Sequence, residues 1–155
     1  MITKTEMITA RFGAISFTEN DLLVLPDGMI GFPQLKNFVL VEHKPGSPFQ
    51  WLQSIDEPAI SFLIVAPGLY VQDYNPIIPS MVVDALEITE ESPYLVYTVV
   101  SIPKGKPEEM SLNLAGPILI NVETRKGAQV VLEDNKWALK HLVGTPKKSE
   151  SQQAA

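Results

Sequence analysis

Proline punctuates this chain at positions 26, 33, 45, 48, 58, 67, 76, 79, 93, 103, 107, 117 and 146. Inside a helix a proline removes a hydrogen bond and clashes with the preceding turn, so this spacing leaves little room for long helices. It favours short strands joined by many turns. The segments between prolines agree. Tyr94–Ile102, YLVYTVVSI, lies between Pro93 and Pro103 and is rich in β-branched and aromatic residues. Its apolar side chains fall on both parities, which predicts a central strand covered on both faces. Ala59–Ala66, AISFLIVA, reads the same way between Pro58 and Pro67, with Ser61 expected as a hydrogen-bonded core serine.

The clearest hairpin runs from Pro117 to Thr124, turns at Arg125-Lys126-Gly127 and returns through Ala128–Leu132. Ile118, Ile120 and Val122 share one face, and Gly127 is expected to take the left-handed conformation that closes the loop. Further strands are expected near Thr3–Ala10, Ala14–Phe17, Asp21–Leu25, Phe38–Glu42, Phe49–Ser54 and Met81–Ile88, the last being equally readable as a short helix. Asn135–Val143, with Trp137, Leu139 and Leu142, predicts one or two helical turns. The pattern implies an all-β, compact antiparallel, β-barrel-like single domain over residues 1–144, with at most one or two short helical segments. Residues 145–155, TPKKSESQQAA, read as a flexible polar tail.

The 155 residues suffice for one real core, and 45% apolar with 19% charged residues describes an ordinary globule. No cysteine is present, so disulfides and thiolate metal sites are excluded. The N-terminus lacks the apolar core of a secretory signal, and the most apolar stretch, Pro58–Gln72, is short and broken by Pro67-Gly68. The expectation is a cytoplasmic protein with no membrane contact. A net charge of −6 repels nucleic-acid phosphates and steers towards a basic partner.

Catalytic chemistry finds no foothold. The two histidines, His43 and His141, have no metal-ligand spacing, and no metal or other cofactor is expected. The acidic pairs Glu90-Glu91 and Glu108-Glu109 each lie close to a proline, as solvated turn charges do. No nucleophile elbow, Walker loop or dinucleotide fingerprint occurs, so the chain is not read as an enzyme.

The segment LPDGMIGFP, Leu25–Pro33, spaces two glycines as an RNA-clamping GxxG loop would. Its middle residues are apolar, Asp27 precedes it, and a strand rather than a helix follows. It reads as a structural reversal in which Gly28 and Gly31 turn the chain while Ile30 and Phe32 plug the core.

Residues Pro67–Pro79 hold three prolines and a glycine yet also many apolar side chains. Such a proline-stiffened loop either folds back on the core, the commoner outcome, or presents a preorganised contact surface. If a partner site exists, it is expected at Leu69, Tyr70, Asp73, Tyr74, Ile77 and Ile78, with Ile102 near the same edge.

Four stretches carry a family resemblance: Asp27–Phe32 followed by Phe38-Val39-Leu40; Pro48–Ser54; Asn113–Asn121; and Gly127–Leu132. In order and spacing they resemble the flagellar assembly factor FliW, from about Arg11 to His141. The resemblance implies a β-barrel-like protein without catalysis that binds flagellin and CsrA, a small RNA-binding repressor of flagellin translation. Exported flagellin would free the protein to remove CsrA from the message. Among the motif residues Gly28, Gly31, Phe32, Trp51, Asn113, Pro117 and Gln129, a role in holding the fold is expected, with Trp51 in the core. Two other classes remain open: a barrel binding a small ligand in its interior, and an OB-like nucleic-acid binder, which the acidic balance disfavours.

Overall fold

The computed structural model describes residues 3–144; the expected tail lies outside the described residues. Among the described residues there are eleven strands: β1 (Thr5–Thr9), β2 (Gly13–Phe17), β3 (Leu23–Val24), β4 (Asn37–Glu42), β5 (Gln50–Ser54), β6 (Ser61–Val65), β7 (Tyr94–Ser101), β8 (Ser111–Leu112), β9 (Ile118–Asn121), β10 (Gly127–Gln129) and β11 (His141–Leu142). One short helix, α1 (Ser80–Ala85), and three single 3-10 turns complete the elements. The segment near Met81–Ile88 is therefore helical, and it ends where Glu87 enters the left-handed region with φ +56°.

β1 and β2 form a hairpin of their own, and the remaining nine strands form one antiparallel sheet in the order β10-β9-β7-β6-β5-β4-β3. β8 pairs with the second half of β7 and with β11. The long β7 thus has β6 along one edge and both β9 and β8 along the other. Its apolar residues occupy both parities because both faces are covered: Val96 and Val100 pack into one apolar cluster and Tyr97 and Val99 against another. The two ends of the sheet curl towards each other without closing a ladder. They meet at one parallel bridge, where the Val24 N–H donates to the Arg125 carbonyl (2.9 Å). The Arg125 guanidinium reinforces this seam by donating to the carbonyls of Asp21 (2.9 Å) and Leu22 (3.3 Å). The fold is barrel-like with an incomplete seam.

Two apolar clusters lie on opposite faces of the curled sheet. Leu23, Leu52, Ile64, Ile118 and Ile120 fill the inner one. Val65, Val100, Leu112, Leu119 and Trp137 belong to the outer one. Neighbours such as Ile64 and Val65, or Leu119 and Ile120, point to different clusters, as strand alternation requires.

Three local expectations are corrected. The β9–β10 turn is closed by Arg125, at φ +63°, and not by Gly127. Gly127 lies within β10, where a Cβ would come 2.9 Å from the Leu119 carbonyl oxygen, so close strand approach is what requires glycine there. In the GMIG turn Met29 is buried and Ile30 is half exposed, so Met29 takes the place expected of Ile30, while Phe32 packs against the core as expected. Residues 135–143 form turns and β11 instead of helix. Their backbone is used elsewhere, since Leu114 N–H donates to the Ala138 carbonyl and Val143 N–H to the Met110 carbonyl, both at 3.0 Å. Only Trp137 of the three apolar residues is buried.

Candidate partner-binding surfaces

The proline-stiffened loop follows β6 with a 3-10 turn at Pro67–Leu69, where Pro67 occupies a first-turn position that needs no N–H donor. Beyond it the loop divides its side chains. Val71 is buried, and Tyr70, Tyr74 and Ile78 pack against the outer cluster. The Tyr74 hydroxyl donates to the Leu114 carbonyl (2.7 Å), and its ring meets Trp137 edge-on at 4.7 Å. Burial pushes the Tyr74 phenol well above its ordinary pKa of 10.0. Leu69 and Asp73 instead face solvent, as does Ile77, which is 76% exposed. One turn further, Met81 at the start of α1 is 81% exposed. A cavity of about 330 Å³ lies between the loop and the start of β7, lined by Pro67, Tyr74, Pro76, Ile78, Tyr94 and Val96.

Ile102 is not at this edge. It follows the far end of β7, eight residues from Tyr94, or roughly 26 Å at ~3.3 Å per residue. There it lines a groove of about 440 Å³ with His43, Phe49, Trp51, Ser61, Leu63 and Val100. Trp51, expected in the core, is half-buried at this groove because its face of β5 is not roofed there. Its indole N–H donates to His43 Nδ1 (3.2 Å), and the Arg11 guanidinium lies 4.1 Å above its ring. Phe12 abuts it edge-on at 5.9 Å. Ser61 is likewise half-buried, and its hydroxyl accepts from Arg11 Nε (3.2 Å). The tip of the β1–β2 hairpin therefore rests against Trp51 and Ser61 at the margin of the groove.

Among the described residues no group of three or more His, Asp or Glu could hold a metal ion, and no helix is long and apolar enough to cross a membrane. What the surface offers is apolar contact. Compared with known families, residues 6–143 match the family model described as FliW protein. The chain belongs to the FliW family. It is 36% identical to the flagellar assembly factor FliW of Magnetococcus marinus over 129 residues, covering 83% of this chain and 80% of that one. Identity to the factor from Caldanaerobacter subterraneus subsp. tengcongensis is also 36%, over 137 residues, 88% of this chain and 91% of the relative. A crystal structure of the flagellar assembly factor FliW superposes with a TM-score of 0.82 at 30% identity, covering 90% of this chain and 96% of that one.

Of the FliW motif residues, Trp51 stands apart at the groove, while the two glycine-turn segments and Gln129, a hundred positions apart, are tied together. At Gly28, φ is +69° and a Cβ would lie 2.8 Å from Pro33 backbone atoms. Gly31 is also left-handed, at φ +87°, but in open space. Phe32 packs edge-on against Phe62 at 5.4 Å. The Ile30 N–H donates to Gln129 Oε1 (2.8 Å), and Gln129 Nε2 donates to the Gly116 carbonyl (3.0 Å). Asn113 Oδ1 accepts from the Ala115 N–H (3.1 Å), so its amide caps the turn leading to buried Pro117. Gln129 thus stitches the GMIG turn to the Asn113–Pro117 turn.

Sequence reasoning passed over three residues. Arg11 and Arg125 sit in turns and carried no pattern of their own; only contacts distant in the chain reveal them. Asn121, inside an apolar strand, was the visible anomaly. It is 2% exposed, donates to the Leu86 carbonyl (2.8 Å) and accepts from the Glu123 N–H (2.9 Å).

Proposed function

We propose that this FliW-family protein binds flagellin and the RNA-binding repressor CsrA in the cytoplasm, and that it acts by exchanging these partners without catalysis. Flagellin leaving the cell frees the protein, which then draws CsrA from the flagellin message. Translation thereby follows export. The observation that carries this reading is the family match across residues 6–143. The net charge of −6 supports it, because an acidic protein attracts a basic RNA binder and discourages RNA in its vicinity. Neither partner exchange nor RNA release needs a bond to be made or broken. A barrel holding a small ligand in its interior is less well supported, since Leu52, Ile64, Ile118 and Ile120 already fill that space.

Leu69, Asp73 and Ile77 form the exposed side of the proline loop, with Tyr70, Tyr74 and Ile78 fixing it from beneath; this is the proposed primary contact surface. Calorimetric titration with CsrA and with flagellin from the same host tests the reading. Saturable CsrA binding that flagellin suppresses is expected, because negative coupling between two ligands is reciprocal. Ile77→Glu is expected to weaken at least one of the two by roughly tenfold or more. Flagellin binding without CsrA binding reduces the function to that of a flagellin chaperone.

A further inference from the structure

The groove beside Ile102 has a chemistry of its own. Strand register aligns Trp51 with Leu63 across β5 and β6, and continuing the Ile64–Val99 pairing brings Val100 into the same row on β7. Ser61 and Ile102 lie one step further along this face. In the other direction the outer face is roofed, with Val71, Met110, Leu114 and Trp137 packed over it. At the Trp51 row the roof stops and the apolar floor opens to solvent.

The rim is made of donors. The Arg11 guanidinium rests on the Trp51 ring and donates to Ser61, and among the described residues it has no carboxylate partner. His43 Nδ1 accepts from the Trp51 indole, so the ring's proton resides on Nε2, which points away as a second donor. Among the described residues no Asp or Glu lines the groove. A guanidinium held flat against an aromatic ring keeps its outer N–H groups free for a planar acceptor.

We infer that this groove binds an apolar-faced, acidic segment of a partner protein. Aliphatic side chains of that segment lie on Leu63, Val100 and Ile102, and a carboxylate beside them meets Arg11 and His43 at the Trp51 indole. A segment of this kind fits the helix-in-groove mode, with charge fixing its register. A second copy of this chain is disfavoured as occupant, because a self-complementary interface would set donor rim against donor rim. A basic segment would place cation on cation. The inference deepens the partner-exchange reading in that it assigns the groove to an acidic partner, which the basic repressor is not.

The probe is a labelled synthetic amphipathic peptide of about five helical turns, with a leucine stripe flanked by glutamates, and its twin carrying lysines in their place. Fluorescence anisotropy is expected to show the glutamate peptide binding at least ~10-fold more tightly than the lysine peptide. Arg11→Gln, an exposed change, should cancel that preference. Ile102→Glu should abolish binding of the glutamate peptide, while Ile77→Glu on the proline loop leaves it intact. Equal binding of the two peptides, absence of binding, or a preference that survives Arg11→Gln overturns the proposal. So does sedimentation showing a dimer that Ile102→Glu dissolves, which would give the groove to a second copy. Because the readout uses neither CsrA nor flagellin, failure of the exchange reading leaves this result standing, and the reverse holds too.

Discussion

At Gly28 a methyl group would lie 2.8 Å from the Cα and carbonyl carbon of Pro33, and the backbone there is already left-handed. Neither atom is a side chain that could swing aside. Gly28→Ala is expected to cost about 3 kcal/mol, the sum of the left-handed penalty and overpacking. Gly31→Ala has only the first term, about 1 kcal/mol, because nothing lies near its Cβ position. Urea denaturation of the two variants tests this difference; equal losses would mean that backbone conformation alone matters in the turn. Asn121 carries a second expectation. Asn121→Ala leaves the Leu86 carbonyl and the Glu123 N–H without their partner, a loss of about 2 kcal/mol. Restoring the side chain's size with Leu should not recover it, since the deficit is polar.

At the scale of elements, the proline loop is anchored by Tyr74. Burial raises this phenol's pKa in the folded protein above the ordinary 10.0. Below pH 10 both folded and unfolded chains keep the proton, and the group adds no pH dependence. Above it the unfolded chain loses the proton first, so stability falls as pH rises towards the folded value. Tyr97 is shifted in the same direction by burial, against an opposing pull from Arg125. Thermal melts between pH 9 and roughly pH 11 should therefore show an alkaline decline. Tyr74→Phe should shallow that decline while costing about 1 kcal/mol at neutral pH through the lost Leu114 bond. A decline unchanged in Tyr74→Phe would assign it to other groups.

The same loop shows what was legible in the sequence. Proline spacing and β-branched runs located β6, β7 and the β9–β10 hairpin, since alternation and turn chemistry are local properties. Residues 135–143 misled because Asp134 and Asn135 look like helix caps ahead of a stretch holding Trp137, Leu139 and Leu142. Their backbone bonds reach residues 110–114, and no local window contains that information. Trp51 misled for a related reason: its neighbours on β5 say which face it occupies, but the roof over that face comes from residues 71, 110, 114 and 137. The groove was therefore invisible, and Ile102 at its margin, expected near the edge of the proline loop, belongs to it instead.

Taken whole, the molecule grades from a doubly covered centre to a lightly held periphery. β6, β7 and β9 are paired on both edges and packed on both faces. The β1–β2 hairpin pairs only with itself, and Ile8 in it is 78% exposed. Amide hydrogen exchange should be slowest at Leu119, Ile120 and Val96 and fast along the outer edge of β1. Uniform protection would show that the hairpin belongs to the same cooperative unit as the sheet. At the seam, Arg125→Ala is expected to cost about 2 kcal/mol by removing two charge-assisted bonds to backbone carbonyls.

The seam also gives the molecule a direction of mechanical weakness. Force applied along the sheet from β3 to β10 meets antiparallel ladders everywhere except at that junction, where one bridge, the Arg125 bonds and the Ile30–Gln129 bond hold the ends. A pull across it should part the clasp first, unrolling the barrel into an open sheet before any ladder shears. In an optical-trap experiment with handles near Leu22 and Lys126, that opening would register as a low-force step preceding the main rip.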